Sequence, residues 1–209
     1  MGKYLGMFPL NLAVFPSEKL NLHIFEPRYR QLIKDCLKEN CTFGIPVVIE
    51  GATRDYGAEL KIIAIEKEHP DGEMDIKTEV VGLFKIVDYY PPNLEKLYDS
   101  AQVEPLPLRF IEDKETKLRL VDLYREFNRV INNDEKIIPD EEIYSFSIAG
   151  NIGLNIEQKY ELMQLEDETD RQLYLVNHLK MILPILDEIE QLKNRIKLNG
   201  HFRRLSLDD

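Results

Sequence analysis

Apolar and polar residues alternate from Leu20 to Ile24, where Leu20, Leu22 and Ile24 are separated by Asn21 and His23. That period of two predicts a half-buried strand. At Glu26-Pro27 the period changes. Tyr29, Leu32, Ile33, Cys36 and Leu37 recur at i, i+3, i+4, i+7 and i+8, one face of a helix. Pro27 suits the first helical turn, where its missing N–H costs nothing, and Glu26 suits the positive end of the helix dipole. Asn40 is the predicted stop. Upstream, Met7-Phe8-Pro9-Leu10 and Val14-Phe15-Pro16 are short apolar runs cut by proline. Proline cannot donate to a ladder, so each run reads as an edge strand or a strand end.

Further strands are predicted at residues 43–49 and 60–65. His69-Pro70-Asp71-Gly72 is a hairpin turn, since Pro presets φ and Gly accepts positive φ. Met74, Ile76, Thr78 and Val80 alternate with charged residues, Gly82 marks a break or bulge, and the pattern resumes from Leu83 to Tyr89 with Phe84 and Ile86 on one face. Pro91-Pro92 ends that strand, and residues 101–106 offer one more. Short strands with one early helix predict a compact mixed barrel.

From Asp113 the pattern is helical, with Leu120, Leu123, Phe127 and Val130 or Ile131 on one stripe. Ile138-Pro139-Asp140 starts a shorter helix carrying Ile143, Phe146 and Ala149 and ending at Gly150 or Gly153. Asn155 with Gln158 is a capping-box pair for a helix bearing Tyr160, Leu162, Met163 and Leu165. Thr169 with Gln172 repeats that signature for the last and longest helix. Its seam is Leu175, Leu179, Ile182, Leu186 and Ile189, spaced 4-3-4-3. Pro184 should kink or break this helix, Asn199-Gly200 should stop it, and the tail from His201 to Asp209 should fray.

A chain of 209 residues buries roughly 70% of its unfolded surface, enough for a core without disulfides. The net charge of −11 opposes generic binding to nucleic acid phosphates or anionic lipid. Cys36 lies on the apolar helix face and reads as a buried thiol. No apolar run is long enough to span a bilayer, and the myristoylation-like start Met1-Gly2 has Gly6 where Ser or Thr is needed, so a cytoplasmic protein is expected. A P-loop requires a Gly-Lys pair opening a helix, and none does so. Ser17, Ser100, Ser145, Ser147 and Ser206 lie in no nucleophile elbow. His23, His69, His178 and His201 are scattered with no shared metal-ligand spacing. Asp140-Glu141-Glu142 and Glu166-Asp167-Glu168 read as helix starts.

Phe8-Pro9-Leu10, Phe15-Pro16 and the run Leu22-His23-Ile24-Phe25-Glu26-Pro27-Arg28-Tyr29-Arg30 together resemble the opening of the Lon protease N-terminal, or substrate-binding, domain family. Pro70-Asp71-Gly72 is similar to that family's central turn. Leu165-Glu166-Asp167, then Asp170-Arg171 before a leucine-rich helix, is similar to its late helical block. The chain departs from the family at Gly82-Leu83-Phe84, where members often carry a Gly-x-x-Arg-Phe run.

The resemblance implies an α+β fold. A β-rich, PUA-like pseudo-barrel lobe spans residues 1–107, a helical bundle lobe ending in a long helix spans 108–200, and a flexible tail spans 201–209. The full-length enzyme adds an ATPase and a serine–lysine peptidase, neither of which fits in this chain. The expectation is a stand-alone, non-catalytic member with no cofactor and no metal. Its implied function is adaptor-like or chaperone-like capture of exposed apolar segments of unfolded client polypeptides. A protease or chaperone is a candidate partner. Two other classes stay open: a PUA-like nucleic-acid-binding module, which the acidic balance opposes, and a structural homo-oligomer assembled through the C-terminal helix. The expected protein-binding residues are Phe8, Phe15, His23, Phe25, Glu26, Arg28, Tyr29 and Phe110, around a crevice near Pro105-Leu106-Pro107. For Arg28 the structural alternative is to pin the corner to Glu26 or to backbone carbonyls.

Overall fold

The structure, a computed structural model, describes residues 2–131 and 138–205. In chain order its elements are β1 (Lys3–Met7), β2 (Lys19–Ile24), α1 (Pro27–Glu39), β3 (Phe43–Ile49), β4 (Ala52–Glu68), β5 (Met74–Tyr90), β6 (Ser100–Pro105), α2 (Lys114–Val130), α3 (Ser145–Ala149), α4 (Ile156–Met163) and α5 (Glu168–Leu205). They divide into two compact units. The first runs to Arg109 and takes in Gly153–Glu166; the second holds Phe110–Ile152 and the chain from Asp167. Thus α4, read from sequence as part of the helical lobe, groups with the strands.

In the first unit the strands form one sheet of order β2-β5-β4-β3-β1-β6, and β6 also pairs with β5. That extra pairing closes β5-β4-β3-β1-β6 into a ring, with β2 added outside it. One long strand serves both: β5 pairs with β2 through residues 74–79 and with β6 through residues 84–90. Between the two stretches Leu60 pairs with Val80 and Glu59 with Gly82, leaving Val81 as the extra residue of a bulge. The predicted interruption at Gly82 is therefore a bulge inside a continuous strand. Leu5, Met7, Phe84, Ala101 and Val103 form one buried cluster from β1, β5 and β6.

The run Met7-Phe8-Pro9-Leu10 is the strand end of the two expected alternatives: β1 ends at Met7, with Pro9 following, and Leu10 makes only an isolated bridge to Val47. β1 itself is not an edge, since it lies between β3, which it pairs in parallel, and β6. The second run is corrected. Val14-Phe15-Pro16 forms no strand. Pro16 lacks a donor and Ser17 turns to φ 71°, so Phe15 is buried from a turn in which the Glu18 amide donates to its carbonyl at 3.1 Å.

The helices of this unit follow their sequence signals. α1 has Pro27 in its first turn, buries Tyr29, Leu32, Ile33 and Cys36, and ends at Asn40 in the left-handed region at φ 50°. Leu37, at the margin of the predicted stripe, is exposed. α4 carries the predicted capping box: Asn155 Oδ1 accepts from the Gln158 amide at 2.8 Å and Gln158 Oε1 from the Asn155 amide at 3.0 Å.

In the second unit α2 is capped by Asp113, whose carboxylate accepts from the Thr116 amide at 2.8 Å. The helix expected from Asp140 is instead a 3-10 turn at Asp140–Glu142 followed by α3, capped at Gly150. The predicted Thr169–Gln172 box is not made. Glu168 already begins the helix, Thr169 Oγ1 donates to the Ile111 carbonyl at 2.8 Å, and Gln172 Nε2 donates to Glu168 Oε1 at 2.9 Å. α5 continues past Pro184 without a break and through the predicted stop at Asn199-Gly200 to Leu205. Pro184 is exposed, so water can reach the Lys180 carbonyl that its ring leaves without a donor. The seam is buried at Leu175 and Leu179, joined by Val176 and Leu183, but Ile189 is exposed. Of the predicted tail, residues 206–209 lie outside the described residues.

Candidate functional site

The β2–α1 corner is built by its own residues. The amides of Tyr29 and Arg30 donate to the Glu26 carbonyl at 3.0 and 2.9 Å, closing the first turn of α1. Arg28 grips the Glu26 carboxylate with both Nε and Nη2 at 2.9 Å and lays its guanidinium 4.4 Å from the Tyr29 ring centroid. Arg30 Nη1 donates to the Asp71 carbonyl at 2.6 Å, tying the corner to the β4–β5 turn. Both arginines therefore brace the corner.

The sequence-predicted site residues separate by burial. Phe8, Phe15 and Tyr29 are core residues, with Phe8 and Tyr29 ring centroids 4.1 Å apart, so they offer no surface to a client. The fold buries Phe8 and Phe15, and Tyr29 is buried on the apolar face of α1, as the helical stripe predicts. Burial also pushes the Tyr29 hydroxyl pKa up. Phe25 is 56% exposed, with its ring stacked on His23 at 6.0 Å. Phe110 is exposed and belongs to the second unit, where the Arg171 guanidinium lies 6.0 Å from its ring.

Sequence reading missed a loop held against α1. Gln31 Nε2 donates to the Glu95 carbonyl at 2.7 Å, and Gln31 Oε1 accepts from the Leu97 amide at 2.8 Å. Asn93 Oδ1 accepts from the amides of Glu95 and Lys96, both at 2.9 Å. Tyr98 is buried and donates its hydroxyl to Asp35 at 2.8 Å. Fixed in this way, the loop presents Leu94 and Leu97 to solvent. The available signal was Asn93 after Pro91-Pro92, since an Asn side chain there fixes the next amides in a turn.

It also missed a cluster. His23 on β2 stands opposite Asp75 on β5, and His69 ends the β4 side of the turn. His23 Nδ1 lies 2.7 Å from Asp75 Oδ1, and His69 Nε2 lies 2.8 Å from Asp75 Oδ2. The other His23 nitrogen, Nε2, is 3.2 Å from Glu73 Oε2. The hydrogen bond that His23 makes to the Asp75 carboxylate raises the His23 pKa, and accepting from His69 and then His23 lowers that of Asp75. Among the described residues these three side chains form a group able to hold a cation, with ligand atoms within 4.8 Å of one another. A separate pocket of about 290 Å³ is lined by residues including Cys36, Cys41 and Lys61; both thiols are free, and burial pushes that of Cys36 up.

No helix among the described residues is long and apolar enough to cross a membrane. The fold is similar to that of a Lon N-terminal domain protein from Xanthomonas campestris. The TM-score is 0.63 at 21% identity, covering 84% of this chain and 98% of that one. It is also similar to the N-terminal domain of Mycobacterium avium complex Lon protease, at TM-score 0.60 and 15% identity, covering 85% and 98%. The sequence profile of the ATP-dependent protease La (LON) substrate-binding domain matches residues 4–181, from β1 into α5. With that match over most of its length, the chain belongs to the Lon substrate-binding domain family.

Proposed function

We propose that this substrate-binding module captures exposed apolar segments of client polypeptides through the part of the first unit that carries Phe25, Leu94 and Leu97. The supporting observation is that these apolar side chains are exposed on backbone already fixed, by the corner and by Gln31 and Asn93. Binding then orders little of the protein, which lowers its entropic cost. β2 pairs with β5 on one side only, so an extended client could also add to its free edge. Burying three large apolar side chains gives about 5–9 kcal/mol before association costs, so micromolar or weaker binding is expected. The test is fluorescence anisotropy of a labelled, unfolded, apolar-rich peptide at low and moderate salt. Phe25→Ala and Leu94→Asp should weaken binding, and salt should change it little. Unchanged affinity in both variants, or binding abolished by salt, would refute this mode.

A second reading, assembly through α5, is favoured by one observation. Ile185, Ile189, Leu192 and Ile196 repeat at 4-3-4 spacing along one exposed stripe, beyond the matched region. Glu188 and Arg195 lie on one flank of that stripe and Lys193 on the other. A second copy of the chain therefore meets the stripe with opposite charges available on its flanks. Sedimentation velocity should show a concentration-dependent dimer that Ile189→Asp dissociates; a monomer at all concentrations rejects this reading.

A further inference from the structure

We propose that His23, His69 and Asp75 form a binding site for a divalent transition-metal cation of the zinc class. The donors come from backbone that the fold already fixes. His23 and Asp75 are register partners across β2 and β5. His69 is held by the turn, where its amide donates to the Glu73 carbonyl and its carbonyl accepts from the Gly72 amide, both at 2.9 Å. Arg30 anchors the far side of the same turn through the Asp71 carbonyl at 2.6 Å.

The ligand atoms lie within 4.8 Å of one another. Zinc bonds of about 2.0–2.1 Å in a tetrahedron place donor atoms about 3.3 Å apart. Side-chain rotation of exposed His23 and half-buried His69 is the movement that closing this difference requires. Asp75 already bridges the two imidazoles, one carboxylate oxygen to each, so all three side chains are gathered at one place on the surface. On binding, the cation replaces the protons these groups share, and the protons leave to solvent.

The donor set also selects the cation. Two imidazole nitrogens and one carboxylate suit zinc, nickel or copper and give magnesium and calcium little advantage. When His23 ligates through Nδ1, its Nε2–H faces Glu73 at 3.2 Å, a carboxylate that fixes the ring and raises its basicity. Three protein donors leave a coordination position for water or for a side chain of a bound partner. The site would clamp β2 to the β4–β5 hairpin immediately before Phe25 and α1.

The experiment is calorimetric titration of the untagged, EDTA-treated full chain with zinc chloride, and with magnesium chloride as control. One zinc per chain is expected, with no magnesium binding. His69→Ala and Asp75→Asn should each weaken zinc at least about tenfold, and Cys41→Ser should leave it unchanged. Zinc should also shift the ring resonances of His23 and His69 in the unmutated protein, a readout that does not depend on the variants folding. No zinc binding, affinity unchanged in His69→Ala, affinity lost in Cys41→Ser, or unshifted histidine resonances would each overturn the site and leave a hydrogen-bonded network only.

Discussion

Replacing Glu168 by Gln should destabilise the second unit more than any surface substitution. Glu168 and Arg171 are 1% and 0% exposed. Glu168 Oε2 accepts from Arg171 Nη2 and Nε at 3.0 and 3.2 Å and from Ser145 Oγ at 2.7 Å. Its Oε1 accepts from the Ser145 amide at 2.8 Å and from Gln172 Nε2 at 2.9 Å. The carboxylate thus joins the start of α3 to the start of α5 while neutralising a guanidinium set against Phe146 at 4.7 Å. Glutamine keeps the shape but removes the charge and turns a donor toward donors. Breaking one side of a buried pair costs about 3–5 kcal/mol, because the guanidinium stays buried after losing this counter-charge. With a urea m-value of about 2 kcal/mol/M, the midpoint of helix loss by circular dichroism should fall by roughly 1.5–2.5 M. Arg171→Met should cost a similar amount. The double variant Glu168→Gln/Arg171→Met should be more stable than the sum of the singles by about 1–3 kcal/mol, since it removes both charges of the pair together. Strictly additive singles, or a Glu168→Gln cost below about 1 kcal/mol, would show that the pair is not holding this unit.

Three further outcomes follow from local geometry. A Cβ on Gly57 would lie 2.5 Å from the Ile45 carbonyl oxygen, so Gly57→Ala should cost about 1–3 kcal/mol, whereas Gly82→Ala meets nothing within 4 Å and should leave the melting midpoint near that of the parent. In EDTA-treated protein the His23 ring should titrate above 6.5 by NMR, and Asp75→Asn should return it toward that value. The raised His23 pKa contributes stability that is full below 6.5 and lost as pH rises through the folded value. The lowered Asp75 pKa contributes above 3.8 and is lost as pH falls through its folded value, so the pair stabilises most between these limits. Iodoacetamide in mild alkali should label exposed Cys41 and spare buried Cys36, as read by peptide mass spectrometry; equal labelling would mean α1 opens readily.

What could be read in advance depended on whether the physics was local. The switch from period two to period 3.6 at Glu26-Pro27 places β2 and α1 within a residue, because pattern, cap and proline act within a few positions. The Asn155–Gln158 box and the Asn40 stop are local in the same sense. The errors came where distant partners decided. Thr169 has the sequence of a cap, yet Ile111 takes its hydroxyl and Glu168 supplies the first turn. Asn199-Gly200 can stop a helix but does not require it, and α5 continues. The position of β1 inside the ring followed from β6 returning to it, a pairing that no residue of β1 advertises.

The candidate site separates along the same line, and this bears on how such residues are chosen. Aromatic type and proximity to proline pick out Phe8, Phe15 and Phe25 together, although the fold buries Phe8 and Phe15 and leaves Phe25 exposed at the corner. Exposure is a property of the closed ring, so residue type alone could not sort them. Leu94 and Leu97 looked like ordinary loop residues because Gln31, which fixes their loop, is on α1 and distant in sequence. His23 and His69 showed no ligand spacing because the spacing rule describes ligands on one continuous element. Here the spacing is set by strand register, with Asp75 opposite His23 and the hairpin turn returning His69 to the same carboxylate. The hairpin turn at Gly72 fixes only how β4 meets β5, whereas the register of β2 on β5 is a long-range pairing that no local signal carries.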